Sequence, residues 1–390
     1  MSIKKKISSY YLFRFISNLY FDRSNFLFFL TSVGLNTAQI GALQSIYFWV
    51  NLLTEVPTGV VADKVSKKFS IALGCFLMSF VFFIFPLISS FYLFIILLSI
   101  FAIAVSLRSG AENSLIYEEL LIEGEEWEKK SKKVFTVGNS LSLFSIGAAS
   151  LIGSYLMTKS WEHVYWALSF AMFLSGLLTL NFNETINKET KATKKHESVI
   201  KNLFKFIKTD KNYSYIFFAS GVALLFSIQN PVFVFSQTLF KFMGLESYQA
   251  SLALAFIFIV SAFINMFISR YSFWETRKFF YSLFIITSII YYLLPITESV
   301  FLSILIVGAS SVIQSLVLVY MEHYLNKVVD SKIRASFLSV NFFIISLFSA
   351  VSMPIYGALV DRLNPQVVFA YIWFIPLFGL IIVSLSMEKE

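Results

Sequence analysis

The sequence predicts an all-α polytopic membrane protein: twelve transmembrane helices in two six-helix bundles, with both termini in the cytoplasm. Three observations carry that expectation. Apolar residues make up 57% of the 390-residue chain and charged residues 14%, against roughly a quarter charged in a soluble domain; mean hydropathy is +0.74. The apolar residues come in continuous runs near the ~20 residues that cross a bilayer as a helix, not in the alternation of a β-barrel. The basic residues segregate to alternate loops. Disorder, a collagen repeat, a disulfide scaffold and a soluble enzyme are excluded by the same composition.

The apolar runs are 10–31, 38–62, 69–88, 91–120, 134–157 and 161–180; after a polar stretch they resume at 213–242, 248–269, 278–295, 300–325, 335–360 and 366–387. They set an N-terminal bundle at 1–180, a cytoplasmic linker at 181–212 and a C-terminal bundle at 213–390. Of the 31 basic residues, 25 fall at the termini, in the linker, and in the loops after the second, fourth, eighth and tenth runs. The opposite loops hold Lys159, Lys241 and Arg362 alone. An excess of Lys and Arg marks the cytoplasmic side, so the net charge of +8 reflects orientation, and nucleic acid is not an expected partner. Within the linker, Val199, Ile200, Leu203, Phe204, Phe206 and Ile207 stand among lysines, the pattern of an amphipathic helix lying on the membrane surface; a solvated linker is the alternative.

The halves resemble one another at a shift of 204 residues: Ile152-Gly153-Ser154-Tyr155-Leu156 against Tyr356-Gly357-Ala358-Leu359-Val360. That points to a parallel repeat and two bundles around a central cavity. The lone Cys75 and three scattered histidines form no disulfide framework or metal-ligand spacing, so neither metal nor cofactor is expected. No Gly-rich Lys-Ser/Thr phosphate loop is present, so ATP is not the expected direct energy source.

Between the second and third runs stands Gly59-Val60-Val61-Ala62-Asp63-Lys64-Val65-Ser66-Lys67-Lys68. Gly59 would allow close helix approach, Asp63 is a carboxylate at a helix end, and Lys64, Lys67 and Lys68 face the anionic leaflet. This stretch resembles the cytoplasmic signature of the major facilitator superfamily, in sequence and in position. The resemblance implies a secondary transporter working by alternating access, with Gly59, Asp63, Lys64, Lys67 and Lys68 as a latch between bundles. The plainer alternative is a topology signal only. A partial copy, Gly357-Ala358-Leu359-Val360-Asp361-Arg362, reads as coincidence or a common helix-end turn.

Glu55-Val56-Pro57-Thr58-Gly59 and Arg334-Ala335-Ser336-Phe337-Leu338-Ser339 resemble a bacterial exporter-like branch of the superfamily. That branch implies proton-coupled efflux of a drug-like or peptide-like amphipathic small molecule across the cell (inner or plasma) membrane, by a monomer. Span five has Gly138, Gly147 and Gly153 but lacks the proline usual in drug–proton antiporters. Import of a nutrient or metabolite, or transport of a lipid-type substrate, therefore stands as the alternative; an integral membrane enzyme is a remote one.

Ionisable residues at a helix centre in a membrane cost at least about 2.5–3.5 kcal/mol and are functional candidates by default. Asp22 and Arg23 lie mid-span in the first run, and Glu55 in the inner half of the second. Arg108 and Glu112 share one helix face of the fourth, and Glu322 lies near the inner end of the tenth. The resemblance places the first, fourth, seventh and tenth spans around the cavity. Burial and a neighbouring arginine pull a carboxyl group's proton affinity in opposite directions. The proton-coupling candidates are thus Asp22, Arg108, Glu112 and Glu55, with Asp22 or Glu112 as carrier and Arg108 tuning it; a static buried pair is the alternative. Arg14 is expected to snorkel to the inner surface. Substrate-cavity candidates are Arg23, Asn25, Gln229, Asn230, Gln237, Gln314 and Glu322, although interhelical hydrogen bonds would explain the neutral ones equally.

Overall fold

The computed structural model describes residues 3–121, 127–182, 213–268, 276–328 and 334–387; the amphipathic segment of the linker lies outside them. The described residues are nearly all helical: α1 (Ile3–Ile16), α2 (Phe26–Ser32), α3 (Thr37–Lys64), α4 (Lys67–Ile84), α5 (Phe91–Leu121), α6 (Trp127–Leu156), α7 (Trp161–Leu180), α8 (Tyr213–Phe242), α9 (Ser247–Ile268), α10 (Arg277–Leu293), α11 (Val300–Val328), α12 (Arg334–Arg362), α13 (Pro365–Ala370) and α14 (Phe374–Met387). Among them, nine segments are long and apolar enough to cross a bilayer, each matching one expected run. Of the other three runs, the first is broken into two short helices, the second carries Gln39, Gln44, Asn51 and Thr54 along α3, and the ninth forms the 17-residue α10.

Packing divides the chain into two compact units, residues 1–26 with 50–196 and residues 27–49 with 197–390. In the first, α4 lies along α5 and α7, and Phe82, Phe85, Phe94 and Tyr165 interlock at ring distances of 4.9–6.3 Å. In the second, α8 is flanked by α12 and α14. Its core centres on Phe280, stacked on Tyr320 at 4.1 Å and 11°, with Phe218 and Tyr324 beside it. Phe80, Phe170, Phe256, Phe263 and Phe301 are exposed; in a bilayer, hydrocarbon as apolar as the side chains would solvate them.

The first span breaks where its sequence turns polar. Ser17, Asn18, Asp22, Ser24 and Asn25 crowd nine residues, and such side chains compete with the helix for backbone groups. Asn18 Nδ2 donates to the Arg14 carbonyl at 2.7 Å, satisfying an end group of α1. Residues of α6 seal the break. Ser145 Oγ donates to the Phe15 carbonyl at 2.5 Å, Ser24 Oγ lies 3.4 Å from Ser154 Oγ, and Gly153 abuts the Phe21 carbonyl so closely that any Cβ would collide with it.

A repeat that the sequence comparison at 204 residues did not register emerges at 210. Gly34 and Gly244 adopt φ of 94° and 95°, the left-handed region where a side chain is unfavourable. Each ends a helix with the same pair of bonds: Leu35 N–H to Leu30 O and Leu245 N–H to Phe240 O, both 3.0 Å, with Gly34 and Gly244 bonded three residues back. The next helix then starts alike, the Asn36 and Glu246 amides each donating to a glutamine side chain, Gln39 and Gln249, at 3.0 Å.

Within the second unit the first half of α3 packs on α12 through two glycines. A Cβ on Gly41 would lie 2.5 Å from the Met353 carbonyl, and one on Gly357 would strike the Thr37 carbonyl. Thr37 Oγ1 donates to Asp361 Oδ1 at 3.2 Å. The Gly357–Arg362 stretch, read from sequence as coincidence or a helix-end turn, thus makes a specific helix–helix contact. Pro354 lies inside α12 and cannot bond the carbonyl four residues back; that carbonyl, of Ala350, accepts from Ser45 Oγ at 2.5 Å. Ser45→Ala is therefore expected to lower stability by about 1 kcal/mol, and markedly less in a Pro354→Ala background, where the helix supplies the missing donor. Equal losses of thermal midpoint in the two backgrounds would disprove the pairing.

Candidate functional site

Two polar groups lie inside the two units, one charged and one neutral. The charged group joins α1, α5 and α6 in the first unit. Arg14 Nη1 donates to Glu112 Oε1 at 2.5 Å, and its Nη2 to Asn139 Oδ1 at 2.8 Å. The other Glu112 oxygen faces Arg108 Nε at 3.4 Å, and Arg108 Nη1 donates to the Ser17 carbonyl at 3.0 Å, in the break of the first span. Arg108 is 9% exposed and Glu112 5%. One carboxylate therefore serves two guanidinium groups, a charge-assisted arrangement stronger than its neutral counterpart. Arg14 is thus held by Glu112 and Asn139. Its signal in the sequence was the same as that of Arg108, a charge inside an apolar run. Asn139 and its neighbour Ser142, which takes a bond from Asn18 Nδ2 at 3.1 Å, had no such signal.

Asp22 is buried in the break and makes no ion pair among the described residues. Asn25 is fully buried; its Nδ2 donates to the Phe21 carbonyl at 3.3 Å, and its Oδ1 has no partner among the described residues. Arg23, next in sequence to Asp22, is exposed, and so is Glu55 on α3. These two do not join the charged group.

The neutral group joins α8, α10, α11 and α12 in the second unit. Gln314 Nε2 donates to Asn230 Oδ1 at 2.6 Å, and Asn230 Nδ2 donates to Ser349 Oγ at 2.9 Å. Gln229 Nε2 donates to the Ser310 carbonyl at 3.3 Å, and the Ser310 hydroxyl lies 2.5 Å from that of Tyr291. Gln229, Asn230 and Gln314 are thus brought together; Gln237 is buried further along α8, its Oε1 without a partner among the described residues. Ser310, Ser349 and Tyr291 were not legible, because serine and tyrosine are common in these helices.

Of the latch candidates, the side chains of Asp63 and Lys64 lie outside the described ones, as does that of Glu322. Lys67 opens α4 after the Ser66 cap and is buried; Lys68 is half-buried. Among the described residues, nothing lies within 4 Å of a Cβ built on Gly59. Among the described residues no three His, Cys, Asp or Glu side chains are grouped as a metal site.

The family model described as Major Facilitator Superfamily matches residues 15–341. No curated protein sequence matches the chain. Among solved structures, a single-residue variant of the nucleoside transporter NupG superposes with a TM-score of 0.77 at 16% identity, over 99% of each chain. NupG itself gives 0.73 at 16% identity, over 100% of this chain and 99% of that one. A bacterial homologue of the human lysosomal transporter Spinster, inward-facing and occupied, gives 0.72 at 15% identity, over 98% of this chain and 94% of the other. At such identities the likeness is one of fold.

Proposed function

The chain belongs to the major facilitator superfamily and is a multi-pass membrane transporter rather than an enzyme; from that premise we propose that it exports a drug-like or peptide-like amphipathic small molecule in exchange for protons. It works by alternating access, as a monomer, in a bacterial plasma membrane. The observation that carries the coupling is the sharing of Glu112 between Arg14 and Arg108 beside a break that holds a buried Asp22 with no ion pair among the described residues. Asp22 takes up and releases the proton. Arg108, anchored by its Nη1 to a carbonyl of the same break, transmits the change to Glu112. A buried charge that loses its partner is strongly destabilising, so protonation and partner exchange move together. The exporter-like stretches at 55–59 and 334–339 support the direction.

The test is transport in proteoliposomes under an imposed pH gradient. Asp22→Asn should abolish gradient-driven accumulation while leaving substrate exchange at equal pH intact. Accumulation by Asp22→Asn at the wild-type level would remove Asp22 from the mechanism. A second reading, import of a nutrient or metabolite, is favoured by the likeness to a nucleoside transporter and by the neutral group of the second unit. Accumulation inside cells expressing the chain, rather than depletion, decides for import.

A further inference from the structure

The neutral group leaves hydrogen-bonding capacity unused. On α11, Ser310 and Gln314 stand one turn apart on one face, and they meet consecutive residues of α8, Gln229 and Asn230. Once the bonds above are counted, Gln229 Oε1 is buried with no partner among the described residues. Gln314 Oε1 accepts no bond among the described residues, and the second N–H of Asn230 donates none. A carboxamide has two donors and two acceptor sites, so among the described residues these two bonded amides keep an acceptor and a donor unused. Pro231 adds to this, because it removes the helical bond to the Ser227 carbonyl one turn earlier. The charged residues of these helices are distant. Lys241, Glu322, Lys327, Arg334, Asp361 and Arg362 all lie at least eight residues away along α8, α11 or α12, about 12 Å or more of helix rise.

We infer that Asn230 and Gln314, backed by Gln229, form a subsite for a neutral amide edge: a substrate group presenting an N–H donor next to a C=O acceptor, as in a lactam, a cyclic dipeptide or a nucleobase. Such an edge pairs with a carboxamide through two parallel hydrogen bonds, the geometry by which Asn and Gln read adenine. The Asn230 N–H meets the ligand carbonyl, and the Gln314 Oε1 accepts the ligand N–H. A charged ligand group would find no counter-ion there. The inference rests on the transporter reading and specifies the polar part of its substrate.

The test is a binding assay on the purified full chain in detergent at one pH, which requires neither transport nor coupling. The probes are cyclo-(glycyl-glycine) and uridine, each against its N-methylated counterpart, sarcosine anhydride and 3-methyluridine. Methylation removes the donor and keeps the ring. At least one unmethylated probe is expected to raise the thermal midpoint in a saturable way, and its N-methyl partner to bind at least about tenfold more weakly. Gln314→Met, close in shape but unable to pair, should lose the shift while remaining monodisperse. The inference is overturned if neither unmethylated probe binds, if methylation makes no difference, or if a folded Gln314→Met or Asn230→Leu binds as wild type does. The methylation comparison uses wild-type protein alone, so a misfolded variant does not obscure the answer. Failure here with Asp22→Asn behaving as expected refutes the amide edge and leaves the coupling standing; the converse refutes the coupling alone.

Discussion

Gly153→Val is expected to yield little monodisperse protein, with any folded fraction destabilised by about 3 kcal/mol or more. A Cβ at this position would run into the Phe21 carbonyl. That carbonyl belongs to the break between α1 and α2, where the backbone has no helical ladder of its own, and it already accepts from Asn25. The strain cannot be relieved by turning a rotamer, because the obstructing atom is main chain. Either α6 must move away or the break must refold, and both disturb Ser145 and Ser154, which bond across the same seam. The comparison is Gly59→Ala. A Cβ there meets nothing within 4 Å among the described residues, and alanine restricts the unfolded chain more than glycine, so this variant should be neutral or gain up to about 1 kcal/mol. Size-exclusion profiles and thermal unfolding in detergent read both. Equal behaviour of the two variants would show that the α6 seam does not hold the break.

The second large effect lies in the charged group, and it is asymmetric. Glu112→Gln strands two guanidinium groups, one of them deeply buried, and should cost about 3–5 kcal/mol. Arg14→Gln removes one cation and leaves Arg108 and Glu112 as a neutral pair at 3.4 Å, so its cost should be smaller, on the order of 1–2 kcal/mol. The double variant Arg14→Gln/Glu112→Gln should be less damaged than Glu112→Gln alone, since one of the stranded charges is gone. Groups that share a network are not additive, and this sign of non-additivity is specific to one acid between two bases. Thermal unfolding of the four proteins at one pH supplies the cycle. If Arg14→Gln proves as harmful as Glu112→Gln, Arg14 is acting through packing and the charge accounting fails.

These two sites show what was legible and why. Arg108 and Glu112 could be paired from sequence because a helix fixes residues four apart on one face. Arg14 could be seen only as a charge in an apolar run. Whether a long side chain turns to the surface or inward depends on what the neighbouring helix offers, here Glu112 and Asn139, nearly a hundred residues or more along the chain. The small and polar residues of α6 were visible as glycines lacking a proline. Their spacing along one face, Gly138, Ser142, Ser145 and Gly153, was the unread sign that they border a partner backbone. Asp22, Arg23 and Glu55 looked alike in sequence. In the structure Asp22 is buried while the other two are exposed; Asp22 and Arg23 lie in the break of the first span, where no helical period indicates which of two neighbours turns inward.

The sequence by itself determined the class of protein, the positions of the apolar runs and the family. Each rests on composition, on runs of bilayer length, or on a short motif at a fixed place, all properties of residues near one another in the chain. Tertiary structure alone decided that the first span is interrupted and sealed by α6, that one glutamate is shared by two arginines, and that two carboxamides of different helices bond to one another with a donor and an acceptor left over. These depend on which backbones approach and at what rotation. A uniformly apolar helix carries no periodic signal of its facing side, so its partners are settled by the few glycines, serines and amides that fit only one neighbour.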